Sequence, residues 1–264
     1  IELPTWLGDS VMSAPAIENI ISNYNHIEIT IIGPFSSIQI FKEHPSVVNS
    51  VVIDSKIQSL YISHTKLGFF DVFFTFRGSF RAKLLKFNVK ANKKYQFNYK
   101  NYPNRHQVEK YVDFINHSLS CNYPAGNLIN HFDTIKQKNA SKLLGINPGA
   151  TYGASKRWYP EQFAKVAIAL SNNFDIIIFG SQDEQSFAKK IEHYLTKNNI
   201  NNYLNLAGKT SIAELNQHIS SLDIFLTGDS GPMHIAASLQ IPTIAIFGPT
   251  NSIETSQWKN EKAV

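Results

Sequence analysis

Short apolar runs separated by amphipathic stretches recur through the whole chain. In the first half, Ile27–Ile32, Val47–Ile53 and Val72–Phe76 have strand length with little polar interruption, and Ile1–Leu3 reads as the end of an earlier strand. Pro4–Asp9 reads as a loop. A helix is predicted from near Ser10, with Pro15 in its first turns and Ile17, Ile20 and Ile21 on its apolar face. Further helices are predicted over Pro34–Glu43, Ile57–Ser63, Ser79–Phe87 and His106–Leu119, and Val89–Phe97 leans towards strand. Cys121–Ser141 is polar, broken by Pro124 and Gly126, and shows no sustained period. It reads as a linker between a domain over residues 1–120 and one over 142–264.

The second half restarts the alternation. Strands are predicted at Leu143–Asn147, Phe174–Phe179, Tyr203–Leu206, Ile224–Thr227 and Ile244–Phe247. Helices fall between them at Pro160–Leu170, Gln182–Lys197, Ser211–Ile219 and Pro232–Gln240. Continuously apolar strands alternating with helices predict α/β architecture, two parallel sheets each covered on both faces. Ligands of such sheets bind beyond the carboxyl ends of the strands, and Asp9 and Asp229 both fall at that edge.

Composition narrows the class. Hydrophobic residues make up 43% and charged residues 17%, as in a globular protein, and no run approaches the ~18 apolar residues of a membrane span. A lone Cys121 excludes an internal disulfide and a Cys-rich zinc site, and it fits a cytoplasmic location. The chain opens at Ile1, so its amino terminus is expected to be trimmed. The net charge of +5 is concentrated, because residues 77–110 hold ten Lys or Arg against one acid, Glu109. That band suits a solvated face, a nucleic-acid surface or a groove for an anionic glycolipid.

Three stretches carry candidate chemistry. In Thr227-Gly228-Asp229-Ser230-Gly231-Pro232-Met233-His234, a strand, a tight turn and a helix succeed one another. Pro at the first helical position fixes the start, and the free N–H groups there favour an anion such as a phosphate. Capping by Asp229 and Ser230 is the alternative. In Asn147-Pro148-Gly149-Ala150-Thr151-Tyr152-Gly153-Ala154-Ser155-Lys156-Arg157-Trp158, two glycines let the backbone approach a ligand, and Lys156 and Arg157 could neutralise a diphosphate. The third is Asp9, a carboxylate that could accept a hydroxyl proton or cap the following helix. No G-x-G-x-x-G, no G-x-x-x-x-G-K-[ST] and no Asp-x-Asp occurs, and the nine histidines show no metal-ligand spacing.

Taken together, Leu226–Asn251 (LTGDSGPMHIAASLQIPTIAIFGPTN), the Pro-Gly-Ala…Lys-Arg-Trp loop and Trp6-Leu7-Gly8-Asp9 resemble the ADP-heptose:lipopolysaccharide heptosyltransferases of glycosyltransferase family 9. Within that family the second type is the most similar. The resemblance implies the B-type glycosyltransferase fold, with two Rossmann-like domains facing a cleft. It implies inverting transfer of heptose from ADP-L-glycero-D-manno-heptose to the lipopolysaccharide or lipooligosaccharide inner core, onto the first heptose. Asp9 matches the family's catalytic base and Lys156 its phosphate-binding lysine. Thr151, Tyr152, Asp229, Ser230, Gly231, Met233 and His234 would complete the diphosphate and sugar site. Phe179, Gly180, Asn205, Leu206 and Gly208 would border the adenosine, and Arg77 and Arg81 would face an acidic acceptor. No cofactor and no metal is implied. The partners would be the ADP-sugar and a lipid A-core acceptor, with peripheral contact at the inner face of the cytoplasmic membrane and no nucleic acid. A carboxyl-terminal helix beyond Val264 is also expected. Another sugar-nucleotide enzyme of this fold, such as a non-hydrolysing epimerase, and a two-lobed binding protein without catalysis remain as alternatives.

Overall fold

A computed structural model describes residues 1–53, 67–132, 141–149 and 157–264; the helix expected over Ile57–Ser63 lies outside them. The chain divides into two compact units, Ile1–His131 and Phe132–Val264.

In the first unit α1 (Leu7–Ser22), β1 (Ile29–Gly33), α2 (Phe35–Phe41), β2 (Val47–Val52) and β3 (Phe69–Thr75) come in order. They are followed by α3 (Phe80–Asn88), β4 (Lys90–Gln96) and α4 (Gln107–Leu119). β1 pairs with β2 and β3 with β4, both parallel. The Ile1–Leu3 segment joins the two pairs, because Glu2 bridges to both Ile32 and Thr75. The parallel order is therefore β2, β1, Ile1–Leu3, β3, β4. Ile32, Ile53, Phe73, Leu85 and Val89 pack between the sheet and α3. α4 opens with a capping box in which His106 Nδ1 accepts the Val108 N–H and Glu109 accepts the His106 N–H. Residues 121–131, expected in a linker, belong to this unit. Asn116 at the end of α4 binds both the N–H and the C=O of Tyr123 at 2.9 Å, and Asn19 of α1 donates to Pro124 O.

The second unit contains β5 (Lys142–Asn147), α5 (Pro160–Leu170), β6 (Phe174–Ile178), α6 (Gln185–Lys197), β7 (Tyr203–Asn205) and α7 (Ile212–Ser220). Then come β8 (Ile224–Gly228), α8 (Gly231–Ser238), β9 (Thr243–Ile246) and α9 (Ser252–Thr255). All five strands run parallel in the order β7-β6-β5-β8-β9. Residues 262–264 lie along β9, where Val264 N–H donates to Thr243 O. Leu144 and Ile146 of β5, Ile176 and Ile178 of β6 and Leu226 of β8 face Phe163, Ala167, Ile191 and Leu195 of the covering helices. Central strands buried on both faces are apolar on both, which is why they read as unbroken apolar runs.

Both units share one winding. The chain lays its first strand centrally, builds one flank, and crosses back to the other side of that strand. The order reverses between Ile1–Leu3 and β3 in the first unit, and between β5 and β8 in the second. A doubly wound sheet opens a crevice at such a reversal, outside the carboxyl ends of the two strands.

Candidate functional site

In the second unit the reversal point carries a buried polar network. Asn147, the last residue of β5, is 2% exposed, and its amide donates to Ser230 Oγ at 3.1 Å, Thr227 Oγ1 at 3.3 Å and Gly149 O at 3.3 Å. Ser230 and Thr227 hydroxyls are 3.1 Å apart. Ser230 occupies the N-cap position of α8 yet makes no side-chain cap bond, since its hydroxyl is turned to the strand ends. The capping alternative for Ser230 is thereby corrected. Gly231 and Pro232 form the first turn of α8, whose backbone N–H groups gather at this edge. Met233 and His234 are buried beneath it. Asp229 is 6% exposed, and its Oδ2 accepts the Thr250 hydroxyl at 2.8 Å.

The loop after β5 runs close to Glu184. A Cβ placed on Gly149 would lie 2.1 Å from Glu184 Cδ, so any larger residue there requires the Glu184 side chain to move. Glu184 is 5% exposed, and its Oε2 accepts the Ser181 N–H at 2.8 Å in a capping box. Sequence reasoning did not single out Glu184, although Ser181-x-x-Glu184 is a visible capping signature. Thr151, Tyr152 and Lys156 lie outside the described residues. Of the expected adenosine border, the Phe179 ring is in the core, edge-on to Phe225 at 5.9 Å, which leaves only its backbone at the sheet edge. Gly180 follows it. Asn205 is committed to Glu192 Oε2 and the Ala207 N–H, Leu206 is half-buried, and Gly208 sits at φ +70° with Gln182 and Gln185 against its Cα.

In the first unit Asp9 is the third residue of α1, which starts at Leu7 rather than near Ser10. Trp6 is the N-cap, and its side chain makes no capping bond. Asp9 is thus neither a loop residue nor a cap; it is half-buried in the first turn, beside the central strand's carboxyl end. The loop before it is fastened by Ser37 Oγ and Ser10 Oγ, both donating to Pro4 O. Tyr111 of α4 lies close enough to feel Asp9. Burial, aided by that carboxylate, pushes the Tyr111 phenol well above its ordinary range. Across the reversal point, Glu2 accepts the Thr75 hydroxyl and pairs with Arg77 at 3.4 Å. Burial raises the Glu2 pKa, opposed by Thr75 and by the Arg77 and Arg81 charges. Arg77 is therefore partly committed to the protein itself, and Arg81 is half-buried nearby. Neither Tyr111 nor Glu2 stood out in the sequence, because their relation to Asp9 and Arg77 is set by strand and helix packing.

Away from both reversal points, Glu18 Oε1 lies 3.0 Å from His44 Nε2 and 3.3 Å from His131 Nε2. The absence of metal-ligand spacing is thus corrected in one respect: two imidazoles and a carboxylate, 26 and 113 residues from Glu18, come within reach of one ion. As built, the group is a hydrogen-bonded clasp. His44 Nδ1 accepts the Ser46 N–H at 3.0 Å, which leaves a neutral ring's proton on Nε2, aimed at the carboxylate. Burial lowers the His131 pKa, helped by His44 and opposed by Glu18. A cavity of about 450 Å³ also opens in this unit, lined by Ile1, Tyr24, Glu28, Phe69 and Asp71 at the amino ends of the strands, the edge opposite Asp9.

Two doubly wound parallel sheets with polar groups collected at their reversal points are the architecture of the B-type glycosyltransferase fold. The chain belongs to glycosyltransferase family 9 (heptosyltransferase), whose model matches residues 70–264. It is similar to lipooligosaccharide heptosyltransferase 2 of Campylobacter jejuni, with 40% identity covering 100% of this chain and 84% of that protein. Its fold is shared with a family 9 glycosyl transferase from Veillonella parvula, at TM-score 0.84 and 19% identity over 100% of this chain and 83% of that one. The E. coli heptosyltransferase WaaC with ADP also superposes, at TM-score 0.82 and 17% identity over 99% and 91% of the two chains.

Proposed function

We propose that the enzyme transfers heptose, with inversion, from ADP-L-glycero-D-manno-heptose to a sugar hydroxyl of the lipopolysaccharide or lipooligosaccharide inner core, onto the first heptose. The observation that carries the reading is the 40% identity over the entire chain to a lipooligosaccharide heptosyltransferase 2. Donor and acceptor divide between the units. The second unit takes the ADP-sugar: the first turn of α8 at Ser230–His234 and Lys156 offset the charge that develops on the departing diphosphate. Asp229 binds donor hydroxyls, since a carboxylate would repel phosphate. The first unit takes the acceptor. Asp9 accepts the proton of the attacking hydroxyl, and Arg77 and Arg81 attract carboxylate and phosphate on the core saccharide. The enzyme works at the cytoplasmic face of the inner membrane, as a peripheral protein.

Cationic and backbone groups supply the diphosphate's counter-charge in this scheme, so transfer is metal-independent and continues in excess chelator. ADP release that appears only when donor and core acceptor are both present is the expected result. Release of product without acceptor, or conversion of the donor sugar alone, would favour an epimerase, and binding without turnover would favour a two-lobed binding protein. Loss of activity in EDTA with recovery on adding Mg²⁺ or Mn²⁺ would overturn the metal-free scheme.

A further inference from the structure

One face of α3 adds nothing to the core. By helical spacing Phe80, Lys83, Leu84 and Phe87 fall on one side, and Ala82 and Leu85, the buried seam, on the other. Phe80 is 74% and Phe87 82% exposed. Scattered apolar side chains on a surface are ordinary. Two phenylalanines two turns apart, on a short helix already anchored by its opposite seam, form an organised second apolar edge. Arg81 and Lys86 flank it. The chain then enters β4, where Lys90 is exposed and lies in register with Phe69, itself 66% exposed. Among the described residues, Lys83, Lys86 and Lys90 make no ion pair. The one acid between residues 77 and 110, Glu109, is taken by Arg105 at 2.9 Å.

We propose that this face docks on an anionic lipid bilayer, with Phe80 and Phe87 entering the headgroup boundary and Lys83, Lys86 and Lys90 meeting lipid phosphates. The chemistry is that of an interfacial helix, an aromatic edge framed by lysines. The proposal deepens the peripheral placement given above and rests on it. Charge decides the lipid class, since each lysine near an anionic surface strengthens binding about fivefold. Geometry decides against single-stranded nucleic acid. Base stacking uses rings lining a groove that follows the strand, whereas these two rings project from the convex side of a helix, about 10 Å apart along its axis. The buried seam of Ala82 and Leu85 holds the helix preformed, so docking requires no folding step.

Flotation of the full chain with phosphatidylcholine vesicles, with and without phosphatidylglycerol, tests the surface. Binding should require the anionic lipid and weaken with added salt. The double substitution Phe80→Ser, Phe87→Ser should reduce partitioning at least about tenfold, leaving the thermal midpoint unchanged because neither ring packs in the core. Turnover with a soluble, deacylated core saccharide should also be unchanged. A wild-type chain that ignores phosphatidylglycerol vesicles, a double variant that binds them equally well, or preferential binding of polyuridine RNA would each overturn the proposal. The soluble-acceptor assay reports separately on the transferase reading, so absence of turnover there in the wild type refutes that reading without deciding the vesicle result.

Discussion

Gly149 offers a quantitative test of how the donor-side loop is built. An ideal Cβ at this position would stand 2.1, 2.2 and 2.4 Å from Glu184 Cδ, Oε1 and Oε2. Glu184 has little room to yield. Its side chain is buried, and its Oε2 holds the Ser181 N–H at 2.8 Å. Gly149→Ala must therefore either break that charge-assisted bond, at about 1.5–3 kcal/mol, or strain the loop against it, at about 1–3 kcal/mol. These are alternative responses, so the expected loss is roughly 2–3 kcal/mol, a fall of roughly 10 °C in the midpoint of a domain this size. Thermal and urea unfolding followed by fluorescence reads it, because Trp158 and Trp258 both lie in the second unit. Glu184→Ala removes the obstacle, so Gly149→Ala should cost much less in that background. Equal costs of Gly149→Ala with and without Glu184, or a midpoint that does not move, would refute the contact and with it the path of the loop.

Asp9→Asn should lower turnover by roughly 10²–10⁴-fold if Asp9 is the general base, while the first-turn position costs only about 0.3–1 kcal/mol of helix-dipole stabilisation; near-normal turnover would remove Asp9 from the mechanism. Lys156→Ala should weaken donor binding and slow transfer as well, since the diphosphate gains charge as it leaves, and intact kcat and KM for the donor would refute the assignment. Glu2 titrates above its ordinary value because it is buried, so its contribution to stability is full below that value and lost as pH rises through the raised one. Glu2→Gln should flatten stability across that window, and an unchanged pH slope in equilibrium unfolding would show that another group sets it.

Strands were legible where burial on both faces forces unbroken apolar runs, and β5, β6 and β8 are such strands. β4, Lys-Ala-Asn-Lys-Lys-Tyr-Gln, has no apolar face and reads only as β-leaning; among the described residues it pairs with β3 alone, and an edge position tolerates lysines. The start of α1 was misplaced because its N-cap, Trp6, supplies no capping side chain, and Gly8 looks like a loop residue. That shift turns Asp9 from an apparent cap into a first-turn carboxylate. Polar residues of the loop motifs were visible because glycine and proline punctuate them, whereas their partners were not. Asn147 meets Thr227 across 80 residues only because β5 and β8 are neighbours, and the Glu18–His44–His131 clasp has no local trace at all.

The order of the strands explains why the candidate chemistry falls where it does. In each unit the chain leaves its central strand, builds one flank, and returns to the other side, so two helices diverge from adjacent strand ends and leave a crevice between them. In the second unit the gap is filled from both sides by Asn147 on β5 and by Thr227 and Ser230 at the end of β8, beneath the open first turn of α8. In the first unit the matching position holds Asp9, one turn into the helix after Ile1–Leu3, and Arg77 just past β3, tied back to Glu2 of the central segment. The same winding thus presents backbone N–H groups at one reversal point, and at the other a first-turn carboxylate on one side and, on the other, a cation tied to Glu2. In the proposed scheme the first takes the donor's diphosphate, and the second takes the hydroxyl that must lose a proton.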